Sequence, residues 1–170
     1  MWQFNSPLQN FDASNVWGGH VVIEDNIVQH IKSRKISRLV CTINRKVKTH
    51  CALLSKGDGT YYVMVNKTTQ KKLGVVMGEN LSIVLEEDKS KYGMPMPEEM
   101  AEIMAQDPEV DNLFHSLSPG KQRSLLYIIG KPKTSDSRIK KAILITRYLT
   151  EVNGVLDFAE MNEFIKSNKL

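Results

Sequence analysis

The sequence predicts an α+β protein, a small β-barrel followed by an α-helical C-terminal domain. Three observations carry this reading. Up to about Asp88 the apolar residues recur with period two, the spacing of half-buried strands. From Pro97 onwards they recur with the spacing of amphipathic helices. Between the two lies Ser90-Lys91-Tyr92-Gly93-Met94-Pro95, which reads as a linker. The expected division is 1–90 for the barrel, 91–154 for the helical domain and 155–170 for a C-terminal amphipathic helix.

In the first half, Val21-Val22-Ile23 is the opening apolar run. A short helix follows, with Asp25 as its expected N-cap and Ile27, Val28 and Ile31 inward. Leu39, Cys41 and Ile43 alternate with less apolar neighbours, as do Val47, Thr49, Cys51 and Leu53, so these two runs predict a hairpin. Gly57-Asp58-Gly59 is a turn ahead of the strand carrying Tyr61, Val63 and Val65. A second short helix is expected over 67–73, stopped by Gly74. Gly78-Glu79-Asn80 opens the last strand, with Leu81, Ile83 and Leu85 inward. Brief strands with non-local pairing and short helices predict a small barrel. If Ile43 faces Thr49, Cys41 faces Cys51 on the inner face. In a cytoplasmic protein they are then expected as reduced thiols, with a disulfide as the geometric alternative.

In the second half, three helix starts carry proline at the expected first position: Pro97, Pro108 after Asp107, and Pro119 after Ser118. Their inner faces hold Met100, Ile103 and Met104, then Val110, Leu113, Phe114 and Leu117, then Leu125, Leu126, Ile128 and Ile129. A fourth helix begins near Asp136, with Ile139, Ala142, Ile143 and Leu149 on one stripe, and ends at Asn153-Gly154. Asp157 caps a last segment carrying Phe158, Met161, Phe164 and Ile165.

Bulk properties narrow the function classes. No apolar run approaches the roughly 18 residues of a membrane span, and Met1-Trp2-Gln3-Phe4-Asn5 has no signal-peptide pattern. Cytoplasmic location without membrane insertion is therefore expected. Charge is segregated. Between Asn26 and Gly78 stand eleven Lys and Arg against the single acid Asp58. From Glu86 to Asp111 nine acids face Lys89 and Lys91, and from Lys121 to Arg147 eight bases face Asp136. Blocks of this kind suit a polyanionic partner or attraction within the chain.

Catalytic and metal motifs are missing. Cys41, His50 and Cys51 are the only clustered soft ligands, and His50 and Cys51 point to opposite faces of one strand. No histidine shares a motif with Ser or Cys, and no phosphate-loop or dinucleotide glycine pattern occurs. No metal, no cofactor and no catalytic residue is expected. Glu86-Glu87-Asp88 reads as a solvated strand end. The main candidate site is basic: Arg45, Lys46 and Lys48 at a hairpin tip, with Lys67, Lys71 and Lys72 on the second short helix. Lys32, Arg34, Lys35 and Arg38 lie between the first helix and the next strand. The opposing reading is scattered solubilising charge, or cover by the acidic first helix of the helical domain through Glu98, Glu99 and Glu102. Only Tyr61 and Tyr62 accompany the basic residues, so nucleic acid ranks behind an unknown protein or anionic ligand.

Trp17, Ile43-Asn44, Gly57-Asp58-Gly59, Tyr62 through Lys67, Lys71, Leu73-Gly74, Gly78-Glu79 and the run Leu81 to Asp88 occur in an order with a precedent. This half resembles a bacterial domain of unknown function with a small double-split β-barrel, distantly similar in fold to AbrB-type transcription factors. Pro97, Asp107-Pro108, Phe114, Leu117, Ile128-Ile129, Lys133, Asp136-Ser137-Arg138 and Lys141 resemble the bacteriocin-protection, YdeI or OmpD-associated segment. The usual Asn-Gly turn of the first family reads Asn44-Arg45 here, and its Gly-Asp reads Gly78-Glu79. The resemblance implies a non-enzymatic binding or interaction protein of the stress or envelope-protection type; a monomer or homodimer is expected. It also marks Lys133, Arg138 and Lys141 as a candidate ligand-binding cluster. The rival expectations are a DNA-binding protein using the basic face, and a small-ligand binder or enzyme in the crevice between barrel and helices.

Overall fold

The alternating segments of the first half are strands, paired as two antiparallel four-stranded sheets in the computed structural model, which describes residues 1–11 and 18–168. One sheet runs in the order β1 (Trp2–Pro7), β8 (Asn80–Glu87), β4 (Leu39–Ile43), β5 (Val47–Cys51). The other runs β2 (Gln9–Asn10), β3 (Gly19–Val22), β7 (Tyr61–Val65), β6 (Leu54–Ser55). No hydrogen-bonded ladder joins the two sheets among the described residues. Alternate residues point one way from each strand, which places Ile43, Val63, Leu81, Ile83 and Leu85 in a single buried core with Phe4 and Leu8. The helices α1 (Asp25–Ser33) and α2 (Lys67–Leu73) add Ile27, Val28, Ile31 and Leu73 to it. These elements make up the first of two units, Met1–Lys89.

Several local expectations are corrected. Strand β1 was not expected at all: Trp-Gln-Phe-Asn-Ser-Pro has no β-branched residue, and its strand state comes from long-range pairing of Trp2 with Leu85 through Pro7 with Asn80. Asp25 is the first helical residue rather than the cap, which is Glu24, without a capping side-chain bond. The β4–β5 register is two residues tighter than expected. Ile43 pairs with Val47 and Cys41 with Thr49, so Cys51 lies diagonal to Cys41 rather than opposite it. The cause is a tight turn in which the Lys46 N–H donates to the Ile43 carbonyl at 3.0 Å, with Asn44 and Arg45 both at positive φ. Trp17 lies outside the described residues.

The second unit, Ser90–Leu170, is helical. It contains α3 (Glu98–Gln106), α4 (Pro108–Ser116), α5 (Pro119–Gly130), α6 (Ser135–Glu151) and α7 (Phe158–Ser167). Asp107, Ser118 and Asp157 cap their helices as the sequence predicts, each accepting from backbone N–H groups of the first turn. Thr134 caps α6, which starts at Ser135, one residue ahead of the expected Asp136, and Pro97 stands one residue ahead of α3. The long α6 packs against α3, α4, α5 and α7 and supplies Ala142, Ile145 and Leu149 to the core. Met161 of α7 is fully buried in that same core, with Phe158, Phe164 and Ile165 packed around it.

One buried group sets a pH limit on the first unit. His20 is 1 % exposed, and neither ring nitrogen has a hydrogen-bond partner among the described residues. Its ring lies 4.3 Å from that of Phe11 and 5.2 Å from that of Tyr62. Burial, followed by the charge of Lys56, outweighs the opposing influence of the Gln9 backbone, which falls short of hydrogen-bond geometry, and lowers its pKa below the ordinary 6.5. The neutral ring is thus the form that folds. Stability should be complete above the unfolded value of 6.5 and should fall as pH drops through 6.5 towards the lower folded value, because the unfolded chain then binds the extra proton. Denaturation midpoints between about pH 5 and 8 check this. His20→Phe, which keeps a ring in the stack, should flatten that part of the profile.

Candidate polyanion-binding face

The β4–β5 tip is held from below. Asn44 donates its N–H to the Ser82 carbonyl at 2.8 Å and accepts the Ser82 N–H on Oδ1 at 2.9 Å, tying the turn to β8. Arg45, Lys46 and Lys48 project from this fixed base, all exposed. Helix α2 lies alongside β5. Its cap Asn66 accepts from the Thr69 N–H at 2.8 Å, and Gly74 ends it in the left-handed conformation at φ 69°. Thr69 faces the interior while Lys67, Lys71 and Lys72 are exposed. Lys67 and Lys71 share a face at i, i+4. The structure therefore brings the two predicted basic groups onto neighbouring elements. None of the six cations forms an ion pair with a described residue.

The other cations of this unit are differently placed. Lys32 donates to the Tyr61 hydroxyl at 2.6 Å and lies 4.0 Å from that ring's centre, which holds the phenol below its usual pKa. Arg34 meets Glu87 at 3.4 Å. The expected solvated strand end is only partly so. Glu87 is exposed, but the Asp88 side chain is 1 % exposed and lies 2.7 Å from Nδ1 of His50. Sequence reading missed this pair, since nothing in the run Glu86-Glu87-Asp88 distinguishes a buried acid from two solvated ones.

In the helical unit, Arg138 is committed to structure. Its Nε and Nη2 both meet Glu99 Oε1 at 2.8 Å, and Nη1 donates to the Pro132 and Lys133 carbonyls at 3.4 and 3.3 Å. Ser135 donates to the same Glu99 oxygen at 2.9 Å. Glu99 thus clamps α3 to the start of α6 and carries a lowered pKa, owing first to its own backbone N–H and then to Ser135 and Arg138. Lys133 is exposed ahead of the helix and Lys141 is half-buried one turn beyond Arg138. Next to the clamp is a cleft of about 470 Å³. Met94, Pro95, Met96 and Pro97 wall one side and Leu126, Tyr127, Gly130 and Lys131 of the α5 end wall the other. Glu98, Glu99 and Glu102 are divided: Glu99 is engaged by Arg138, Glu102 accepts from Gln106 at 2.6 Å, and Glu98 is exposed.

Among the described residues no cluster of three or more His, Cys, Asp and Glu side chains could hold a metal ion, and no helix is long and apolar enough to cross a membrane. Residues 4–85 match a domain of unknown function (DUF1905), and residues 94–147 match the family described as Bacteriocin-protection, YdeI or OmpD-Associated. The chain is therefore a DUF1905 domain followed by a YdeI or OmpD-associated domain. No curated protein and no solved structure matches it.

Proposed function

We propose that this chain is a non-enzymatic binding protein that holds an anionic partner on the basic face of its first unit. The observation that supports this is the packing of α2, which carries the exposed Lys67, Lys71 and Lys72, against β5, which holds the exposed Lys48 and follows the tip carrying the exposed Arg45 and Lys46; none of the six forms an ion pair with a described residue. Free cations that share a face gain from meeting a row of phosphates or other anions, because each contact releases condensed counterions. We read the two sheets as the halves of a small double-split barrel of the AbrB-like kind, and the protein as cytoplasmic, monomeric or homodimeric. The description of its second domain as bacteriocin-protection and OmpD-associated suits protection exerted by binding rather than by chemistry.

The test is a salt titration of the full chain against a fluorescent duplex oligonucleotide, with heparin as a second polyanion. The expected slope of log K against log salt is about 0.9 per phosphate contacted. Six contacts would lose roughly 10³ in affinity between about 50 and 200 mM salt. Absence of binding to either probe at the low-salt end would remove the reading. Duplex binding well above heparin binding would move it to nucleic-acid recognition. A second reading rests on the cleft beside the Glu99–Arg138 clamp, whose apolar walls and flanking Lys131 suit a small ligand within the helical unit.

A further inference from the structure

We propose that the first unit carries an oxidisable dithiol, in which Cys51 is the thiol that reacts with hydroperoxides and Cys41 is the partner that resolves it into a disulfide. The inference is independent of the polyanion reading. It starts from register. Cys41 pairs with Thr49 and Leu39 pairs with Cys51, so the two cysteines sit diagonally on the same face of adjacent strands. Diagonal neighbours in such a pair have Cα atoms about 7–8 Å apart, just beyond the span of a disulfide. Closure needs a displacement of about an ångström at one of them. Cys51 is the residue able to make it: it ends β5, and β5 is the outer strand of its sheet.

Exposure and charge assign the two roles. Cys41 is 1 % exposed, whereas Cys51 is only half-buried. Cys51 is the less enclosed of the two and is the one expected to meet an oxidant first. The contact between the two sulfurs, aided at Cys51 by the nearby charge of Arg38, lowers the Cys51 pKa and raises that of Cys41. Asp88, which acts in the opposite sense on Cys51, is itself bonded to His50. A less enclosed thiol that ionises first beside a more enclosed thiol that stays protonated is the arrangement that attack and resolution require.

The chemistry balances. The Cys51 thiolate attacks the terminal oxygen of the hydroperoxide, the O–O bond breaks, and the departing alkoxide takes a proton, leaving a sulfenic acid on Cys51. The Cys41 sulfur then attacks the Cys51 sulfur. The S–O bond breaks, and the hydroxide leaves as water with the Cys41 proton. Two thiols are oxidised by two electrons, and one hydroperoxide becomes one alcohol and one water.

The experiment treats the full chain with hydrogen peroxide and follows intact mass and thiols titrated in denaturant. The expected result is loss of two hydrogens and of both thiols per chain, with peptide mapping joining Cys41 to Cys51. Cys41→Ser should halt at a single dimedone adduct on Cys51, and Cys51→Ser should lose its remaining thiol at least about tenfold more slowly than Cys51 does in the parent. A dimedone adduct on Cys41 in the parent chain, a disulfide formed only between chains, or no thiol loss would each overturn the proposal. The mapping on the parent chain decides the matter if a variant does not fold.

Discussion

Reversing Arg45, Lys46 and Lys48 to Glu is expected to abolish polyanion binding while leaving the first unit folded. Each lost phosphate contact removes a factor set by the salt concentration, so three contacts lower affinity about 10³-fold near 50 mM salt and reduce the salt slope by about 3. Repulsion from the new carboxylates adds to this. Folding should be spared because the three side chains are exposed and form no ion pair with a described residue. Surface changes of that kind usually stay within about 0.5 kcal/mol. Arg45 sits at φ 56°, but Glu is an L residue with a similar backbone cost there, so the turn itself is not further strained. The same reversal on α2 is a poorer test. Lys71 and Lys72 occupy its last turn, where cations offset the helix dipole, and acids there would weaken the helix as well as the binding. Oligonucleotide titration together with a thermal melt checks the prediction. Unchanged affinity in a folded triple variant would refute the face.

Phe114→Ala should cost the helical unit about 3–5 kcal/mol, the range for truncating a fully enclosed phenylalanine. Phe114 is completely buried on α4, with the Tyr92 ring 5.8 Å from its own. Tyr92 in turn meets Nε2 of His115 at 2.8 Å, so the emptied space would lie beneath a polar contact that cannot move inward without losing its partner. Collapse around the void is thereby limited, and the loss should fall in the upper part of that range. Helical circular dichroism in urea follows it directly, because α3 to α7 all belong to this unit. A cost under about 1 kcal/mol would mean that the site repacks.

The helical half was legible because its signals are local. Asp107-Pro108, Ser118-Pro119 and Asp157 announce helix starts within two residues, and the inner stripes follow from spacing except on α6, where Ile139 is exposed and Ile145 takes a buried place instead. The strands with β-branched alternation, such as Tyr61–Val65, were legible for the same reason. What failed depends on distant partners. Trp2–Pro7 is a strand because of β8, and Asp88 is buried because His50 reaches it across the sheet. The β4–β5 register turned on whether the chain reverses over three residues or five, and Asn44-Arg45 lacks the glycine that would have announced the tighter turn. For the candidate face, the sequence supplied the charges but not the adjacency, since only tertiary structure lays α2 beside β5. Arg138 shows the converse: a family resemblance marked it for a ligand, and its guanidinium is taken by Glu99, 39 residues earlier.

The pairing of β1 with β8 has a consequence for synthesis. The first strand of the unit to be made takes its partner from the last strand of the unit, with Trp2 opposite Leu85. Until about Glu87 has emerged, Phe4 has no sheet to join, and β4 lacks the strand that separates it from β1. Closing so long a loop carries an entropic cost that no early local contact repays, so the unit should form late and all at once rather than strand by strand. A nascent chain stalled short of Leu81 would expose the apolar faces of β4 and β7, and holdase chaperones would have their longest opportunity there.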